Sequence, residues 1–226
     1  MRLLGRRSGE TTTRRLVWQA SSLLLAYPDA GQPGRLGAVD RILGHLSPEH
    51  RDPLAATTSY LRETEPFEAA ARYVETFDLR RKTTLFLTYW TDGDTRNRGE
   101  AILSFARAYR SVGVEPPEGE SPDHLAVVLE FAATVDADVG YRLLRANRVP
   151  IGMLAAALTE SESPYACVLA AIGLTLPAAT EREQAHAQEL AIAGPPAEAV
   201  GLQPFTLTVP PRRTDVTGIP RREGAR

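Results

Sequence analysis

The segment from Tyr73 to Ala133 limits what this chain can fold into more than any other. It holds most of the aromatic residues and the two clearest helix starts. Ala101, Ile102, Phe105, Ala108, Tyr109 and Val112 recur at helical spacing, as do Leu125, Val128, Leu129 and Ala132. Ser121-Pro122-Asp123 places a hydroxyl at a cap, a proline at the first helical position and a carboxylate in the first turn, which predicts a helix from that point. Thr91-Asp92-Gly93-Asp94 reads as a boundary, with Gly93 supplying a left-handed terminus and Asp94 capping the next helix. The run Leu85–Trp90 is ambiguous by itself. Its helical neighbours and the absence of a partner strand favour a helix.

The remaining chain continues the helical pattern. Residues 1–13, rich in Arg, Gly, Ser and Thr, read as a disordered leader. A first helix is expected over 14–26, stopped by Pro28, and a second over 36–46. Ser47-Pro48-Glu49 opens a third, ending near Glu63. Pro66 opens a fourth, with Phe67, Ala70, Ala71, Val74 and Phe77 as its apolar stripe. Gly113 to Ser121 is an exposed connector, and further helices are expected over 137–145, 151–158, 164–174 and 181–193. From 194 to 226 Pro, Gly and paired arginines suggest a mobile tail. The expected architecture is all-α, a single-domain bundle over 14–193 with roughly nine to eleven helices.

Composition narrows the function classes. Hydrophobic residues at 43% are enough for a core that needs neither disulfides nor metal. A net charge of −2 gives no global attraction to nucleic acid or anionic lipid. The single Cys167, in an apolar run, reads as a small buried hydrophobe in a reducing cytoplasm. No run approaches the ~20 apolar residues of a membrane span, so direct membrane insertion is not expected. Thr13-Arg14-Arg15-Leu16-Val17 imitates a twin-arginine export signal, but Gln19, Ser21 and Ser22 interrupt the apolar stretch that should follow.

Catalytic signatures are missing. His45, His50, His124 and His186 fall on different elements without zinc-ligand spacing, and there is no phosphate-binding glycine loop, dinucleotide fingerprint or nucleophile elbow. Asp92 to Asn97 imitates a calcium loop but puts Arg96 at a ligand position and Asn97 at the obligatory glycine. No catalytic residue, metal site or cofactor is therefore assigned, and the chain reads as a non-enzyme. Asp123 and His124, neighbours in a predicted helix, point about 100° apart and cannot form a simple relay. They are either a first-turn acid beside a surface imidazole, or the edge of a groove that meets a cationic partner. Arg80-Arg81-Lys82 reads as a solvated charge run. Tyr73 and Phe77, four residues apart, share a face.

Several segments taken together carry a resemblance. Tyr73-Val74-Glu75-Thr76-Phe77-Asp78, then Leu85-Phe86-Leu87-Thr88-Tyr89, Gly93-Asp94-Thr95-Arg96-Asn97-Arg98-Gly99 and Pro122-Asp123-His124-Leu125 through Glu130-Phe131 come in that order. Tyr27-Pro28 and Gly201-Leu202-Gln203-Pro204-Phe205 flank them. This resembles the nitrate reductase molybdenum cofactor assembly chaperones, the NarJ branch of the TorD-like redox-enzyme maturation family, over about 14–205. Family members often carry Leu where this chain has Ser121. The resemblance implies an all-α cytoplasmic chaperone. It would bind the N-terminal segment of the respiratory nitrate reductase catalytic subunit and permit insertion of the molybdenum cofactor and an iron–sulfur cluster before membrane assembly. Molybdenum cofactor biosynthesis proteins are further implied partners. By the same resemblance Tyr73, Phe77, Pro122, Asp123 and His124 are peptide-binding candidates. Asp78, Tyr89, Gly93, Asp94, Arg96, Arg98, Gly99 and Glu130 match the motif with a role that is structural or functional. The alternatives are a chaperone or regulator for another molybdoenzyme, and a GTP-hydrolysing enzyme.

Overall fold

A computed structural model describes residues 2–196. Eleven α-helices lie among them: α1 Arg2–Leu25, α2 Gln32–Leu43, α3 Pro48–Glu63, α4 Pro66–Tyr73, α5 Leu87–Asp92, α6 Arg96–Arg110, α7 Leu125–Thr134, α8 Ala137–Ala146, α9 Arg148–Glu160, α10 Ala166–Leu174 and α11 Glu181–Ala193. One π-helical turn, Val74–Asp78, continues α4, and a 3-10 turn, Arg81–Thr83, precedes α5. The all-α expectation holds.

The bundle is built around α1 and α7, the most extensively packed pair. Helix α7 buries Leu125, Ala126, Val127, Val128, Leu129, Phe131, Ala132 and Ala133. A helix apolar on every side is stable only inside other helices. Against it α1 sets Val17, Ala20, Leu24 and Leu25. Polar ties lock the ends: Arg15 Nε donates to the Ala133 carbonyl at 2.7 Å, and Trp18 Nε1 to Thr175 Oγ1 at 2.9 Å. The first tie places a cation at the C-terminus of α7, where unpaired carbonyls and the helix dipole favour it. Helix α8 approaches α7 so closely that a Cβ on Gly140 would lie 2.3 Å from the Ala132 Cβ.

Several expectations fail locally. Helix α1 begins at Arg2 rather than near residue 14; an Arg14–Glu10 ion pair and a Thr13 Oγ1 bond to the Gly9 carbonyl support the segment expected to be disordered. Phe67 does not head the stripe of α4. It is 81% exposed, and the buried positions are Ala69, Tyr73 and Phe77, a stripe of every fourth residue on which Phe67, at the first turn of α4, does not fall. Leu85–Trp90 is neither all helix nor all strand. Phe86 forms an isolated antiparallel bridge with His124 before α5 begins. Thr95, not Asp94, occupies the N-cap position of α6, and its hydroxyl turns back to the Asp92 carbonyl instead of capping the helix. Ser121-Pro122-Asp123 does not open a helix either: α7 starts at Leu125, with His124 in the capping position. Cys167 is half-buried. Most of the expected mobile tail, with Gly201 to Phe205, lies outside the described residues. Among the described residues no helix is long and apolar enough to cross a membrane.

Candidate functional site

Asp123 organises the candidate site from beneath. Its carboxylate is fully buried and accepts from Thr88 N–H at 3.2 Å, from Thr88 Oγ1 at 2.6 Å and from the Ser121 hydroxyl. Thr88 is the second residue of α5, whose own flanking residue offers no side-chain cap. Asp123 thus caps α5 from 35 residues away, meeting an otherwise orphaned N–H at the positive end of the helix. Backbone bonds run alongside, Leu87 N–H to the Asp123 carbonyl at 3.2 Å and Leu125 N–H to the Leu85 carbonyl at 2.9 Å. Tyr109 Oη donates to the Pro122 carbonyl at 2.7 Å. The segment 85–88 is thereby riveted to the start of α7, and Asp123 is a positioning group with no open face.

Above this rivet lies a cleft of about 410 Å³. Its walls are the end of α1 with Ala26 and Tyr27, Arg35 of α2, Tyr73 of α4, Phe86, the 119–121 loop, and His124, Val127 and Glu130 at the start of α7. Tyr73 and His124, 51 positions apart in the chain, meet here, and Glu130 joins them. Phe77 does not line the cleft. It packs behind Tyr73 at 4.8 Å between ring centres and against Tyr165 at 4.9 Å. Asp123 and Pro122 lie beneath the surface that the cleft presents. The five peptide-binding candidates therefore divide into two that line the cleft and three that support it.

The cleft is electrostatically one-sided. Arg35 is occupied by Asp29 at 2.8 Å and by the Tyr27 carbonyl at 2.6 Å. Its hydrogen bond, with that of the Gly31 N–H, holds the Asp29 carboxyl below its usual range. Glu120 and Glu130 are exposed, and neither is paired with a cation among the described residues. Burial pushes the Tyr73 phenol up, and Asp78 and Glu120 add to the effect; its hydroxyl donates to the Leu25 carbonyl at 2.9 Å, ending α1. His124 stacks edge-to-face on Phe86 at 5.3 Å, and its Nδ1 is buried without a partner among the described residues. Burial lowers its pKa, against the opposing pull of Glu120, Asp123 and Asp78. The cleft thus offers aromatic and apolar walls, a neutral imidazole and unpaired carboxylates, which suits a cationic segment with an apolar face. Among the described residues no three potential ligands converge to hold a metal ion.

The matched family model, described as the nitrate reductase delta subunit, covers residues 44–171, more than half of the chain. The probable nitrate reductase molybdenum cofactor assembly chaperone NarJ of Bacillus subtilis is 30% identical over 160 residues, 70% of this chain and 87% of that protein. This chain belongs to the nitrate reductase delta subunit family. The NarJ chaperone of Escherichia coli K12 is 32% identical over 149 residues, 64% of this chain and 63% of that protein. The nitrate reductase-like protein NarX of Mycobacterium tuberculosis is 55% identical over 157 residues. Those residues are 70% of this chain and only 24% of NarX, so the chain spans about a quarter of that relative.

The other motif residues of this delta-subunit-family chain sort by what they touch. Arg98 bonds Thr88 Oγ1 at 3.3 Å, pairs with Asp94 at 3.3 Å and lies over the rings of Phe86 and Tyr89. Arg98, Asp94, Tyr89 and Asp123 are one network around Thr88. Gly93 has φ +59°, and a Cβ there would lie 1.7 Å from the Pro196 carbonyl oxygen. Gly99 faces open space, and nothing in the packing explains it. Arg96 heads α6, and Asp78 closes the π turn with its exposed carboxylate acting on Tyr73 and His124. Sequence reasoning did not single out Glu120, Tyr27, Arg35 or Phe86 as cleft residues. Tyr27-Pro28 and Phe86 carried a signal through the resemblance, and all four become neighbours only on folding.

Proposed function

We propose that this chain is a nitrate reductase molybdenum cofactor assembly chaperone. In this reading the cleft captures the N-terminal segment of the nitrate reductase catalytic subunit and holds the subunit open while its molybdenum cofactor and iron–sulfur cluster are inserted. The observation that carries the reading is the cleft itself, where Tyr73 and His124 meet beside Glu120 and Glu130, carboxylates with no cationic partner among the described residues. The family and the chaperone names of the Bacillus subtilis and Escherichia coli relatives support it. An amphipathic basic segment would lay its apolar side on Tyr27, Phe86 and Val127 and its cations against Glu120 and Glu130, the helix-in-groove mode. The work required is reversible binding, and no group in the cleft needs to do covalent chemistry.

The test is calorimetric titration of the full chain with a synthetic peptide of that N-terminal segment, at two salt concentrations. Both glutamates are exposed, so E120Q/E130Q leaves the fold intact. It is expected to weaken binding about tenfold and to flatten its salt dependence. Unchanged affinity in both E120Q/E130Q and H124A would remove the cleft from the mechanism. Co-purification of tagged protein from a nitrate-respiring host tests the client separately. Recovery of the catalytic subunit without its cofactor supports the reading, and recovery of a different molybdoenzyme replaces the client.

A further inference from the structure

A second recess, unrelated to the motif, lies on the other side of the aromatic cluster. It has a volume of about 150 Å³ and is walled by α3, the π turn after α4, and the loop joining α9 to α10. Tyr165 is 1% exposed, Tyr60 is half-buried, and neither buried hydroxyl has a hydrogen-bond partner among the described residues. Both tyrosines line the recess, together with Arg72 and Arg80. Arg72 binds Glu68 through Nε and Nη2, and Arg80 binds Glu75 through Nη2, so Nη1 of each remains unspent. Hydrogen bonding to Glu68 raises the Arg72 pKa, and the nearby Tyr60 oxygen adds to it, although that pair falls short of hydrogen-bond geometry. Burial raises the Tyr165 phenol, with Tyr60 and Tyr73 contributing, so it remains a donor across the physiological range.

Two backbone features frame these donors. The π turn Val74–Asp78 forms one wall, and such turns gather at functional sites. Glu162 on the opposite wall has φ +51°, the one described non-glycine residue at positive φ, and a conformation of that kind persists only where its surroundings enforce it. The carboxylates at the rim, Glu75 and Glu162, are exposed, and Glu75 is already held by Arg80 at 2.7 Å. The recess therefore brings together two buried phenols and, at its mouth, two half-exposed guanidinium groups, beside the hydroxyls of Thr76, Ser161 and Ser163. That is the chemistry of an oxyanion site: guanidinium and hydroxyl donors converging on a compact acceptor.

We propose that this recess binds a single phosphate-sized oxyanion, held by the Tyr60 and Tyr165 hydroxyls and the free N–H groups of Arg72 and Arg80. The source is either a phosphoryl group or a carboxylate, which share this recognition chemistry. The proposal does not rest on the chaperone reading.

The test follows amide shifts of the full chain by NMR during titration with inorganic phosphate, with acetate, and with chloride at matched pH and ionic strength. Saturable shifts are expected over residues 72–80 and 160–166 with phosphate. Saturation by phosphate alone identifies a phosphoryl site, and saturation by acetate as well identifies a general oxyanion site. Y60F/Y165F keeps both rings and removes both donors, and is expected to weaken binding at least about tenfold. R72Q, on a side chain 56% exposed, gives a second variant that leaves the core untouched and should weaken binding in the same direction. Shifts that follow ionic strength alone, or affinity unchanged in both variants, would overturn the proposal.

Discussion

Removal of the Asp123 carboxylate separates two accounts of this position sharply. An acid in the first turn of an exposed helix is worth about 0.3–1 kcal/mol through the helix dipole. Asp123 is instead fully buried and satisfies three donors, Thr88 N–H, Thr88 Oγ1 and Ser121 Oγ. Asp123→Ala leaves the Thr88 N–H orphaned at the start of α5, which costs about 1–3 kcal/mol. The two hydroxyls can rotate toward other acceptors, yet each loses a charge-assisted bond, adding about 1 kcal/mol apiece. The expected loss is about 3–5 kcal/mol, or roughly 10 °C in Tm for a chain of this length. Asp123→Asn can turn its carbonyl oxygen to the Thr88 pair and its amide to Ser121 Oγ, which can accept, so its loss should be about 1–2 kcal/mol. Thermal and urea unfolding followed by far-ultraviolet circular dichroism measure both variants. If Asp123→Ala falls within about 1 kcal/mol of the parent, the carboxylate does not hold segment 85–88 and the account of the site's foundation is wrong.

The two motif glycines should respond oppositely to alanine. Gly93→Ala meets both a φ of +59° and the Pro196 carbonyl, so thermal melts should show a loss of more than about 1–3 kcal/mol; Gly99→Ala, in open space inside α6, should be neutral or gain up to about 1 kcal/mol. Equal losses at both positions would contradict this assignment. His124 adds a pH dependence. Burial depresses its native pKa, so below the unfolded value of about 6.5 the unfolded chain binds a proton that the native state refuses. Its contribution is therefore intact at neutral pH and is lost as pH falls through the depressed native pKa. Urea midpoints between neutral and mildly acidic pH should fall less steeply in His124→Asn than in the parent, and parallel slopes would refute this.

Local signals read the helices well where the chemistry they announce is used locally. Pro48 and Glu63 bound α3, and Glu181 and Ala193 bound α11, as expected from sequence. In α11 the Thr180–Glu183 capping box accounts for the start, since both partners lie three residues apart. Ser121-Pro122-Asp123 shows where this stops. A hydroxyl, a proline and a carboxylate in series are the signature of a helix start, and the carboxylate does cap a helix. It caps α5, 35 positions upstream, and α7 begins after it. Nothing within a window of a few residues distinguishes the two outcomes. Leu85–Trp90 failed for the same reason, because the partner of Phe86 is His124, inside what reads as a helix. The resemblance supplied what periodicity lacked, since it tied these distant segments into one motif.

The motif then proves to hold two kinds of residue that sequence cannot separate. Asp123, Thr88, Arg98 and Tyr89 are turned inward or pinned to one another, and they fix the angle between segment 85–88 and α7, while Gly93 lies against Pro196. Tyr73, His124 and Glu130 occupy the surface that this angle creates. Ser121, which departs from the commoner leucine, belongs to the first group because its hydroxyl binds Asp123. A cleft formed from four separated stretches of chain exists only while the rivet holds. Substitutions beneath it should therefore lower stability and peptide affinity together, whereas Glu120 and Glu130 should alter affinity and its salt dependence with stability unchanged. The same division explains why the candidate site was legible as a list of residues but not as a surface: membership in the motif records that a residue is needed, and only its direction in the fold records for what.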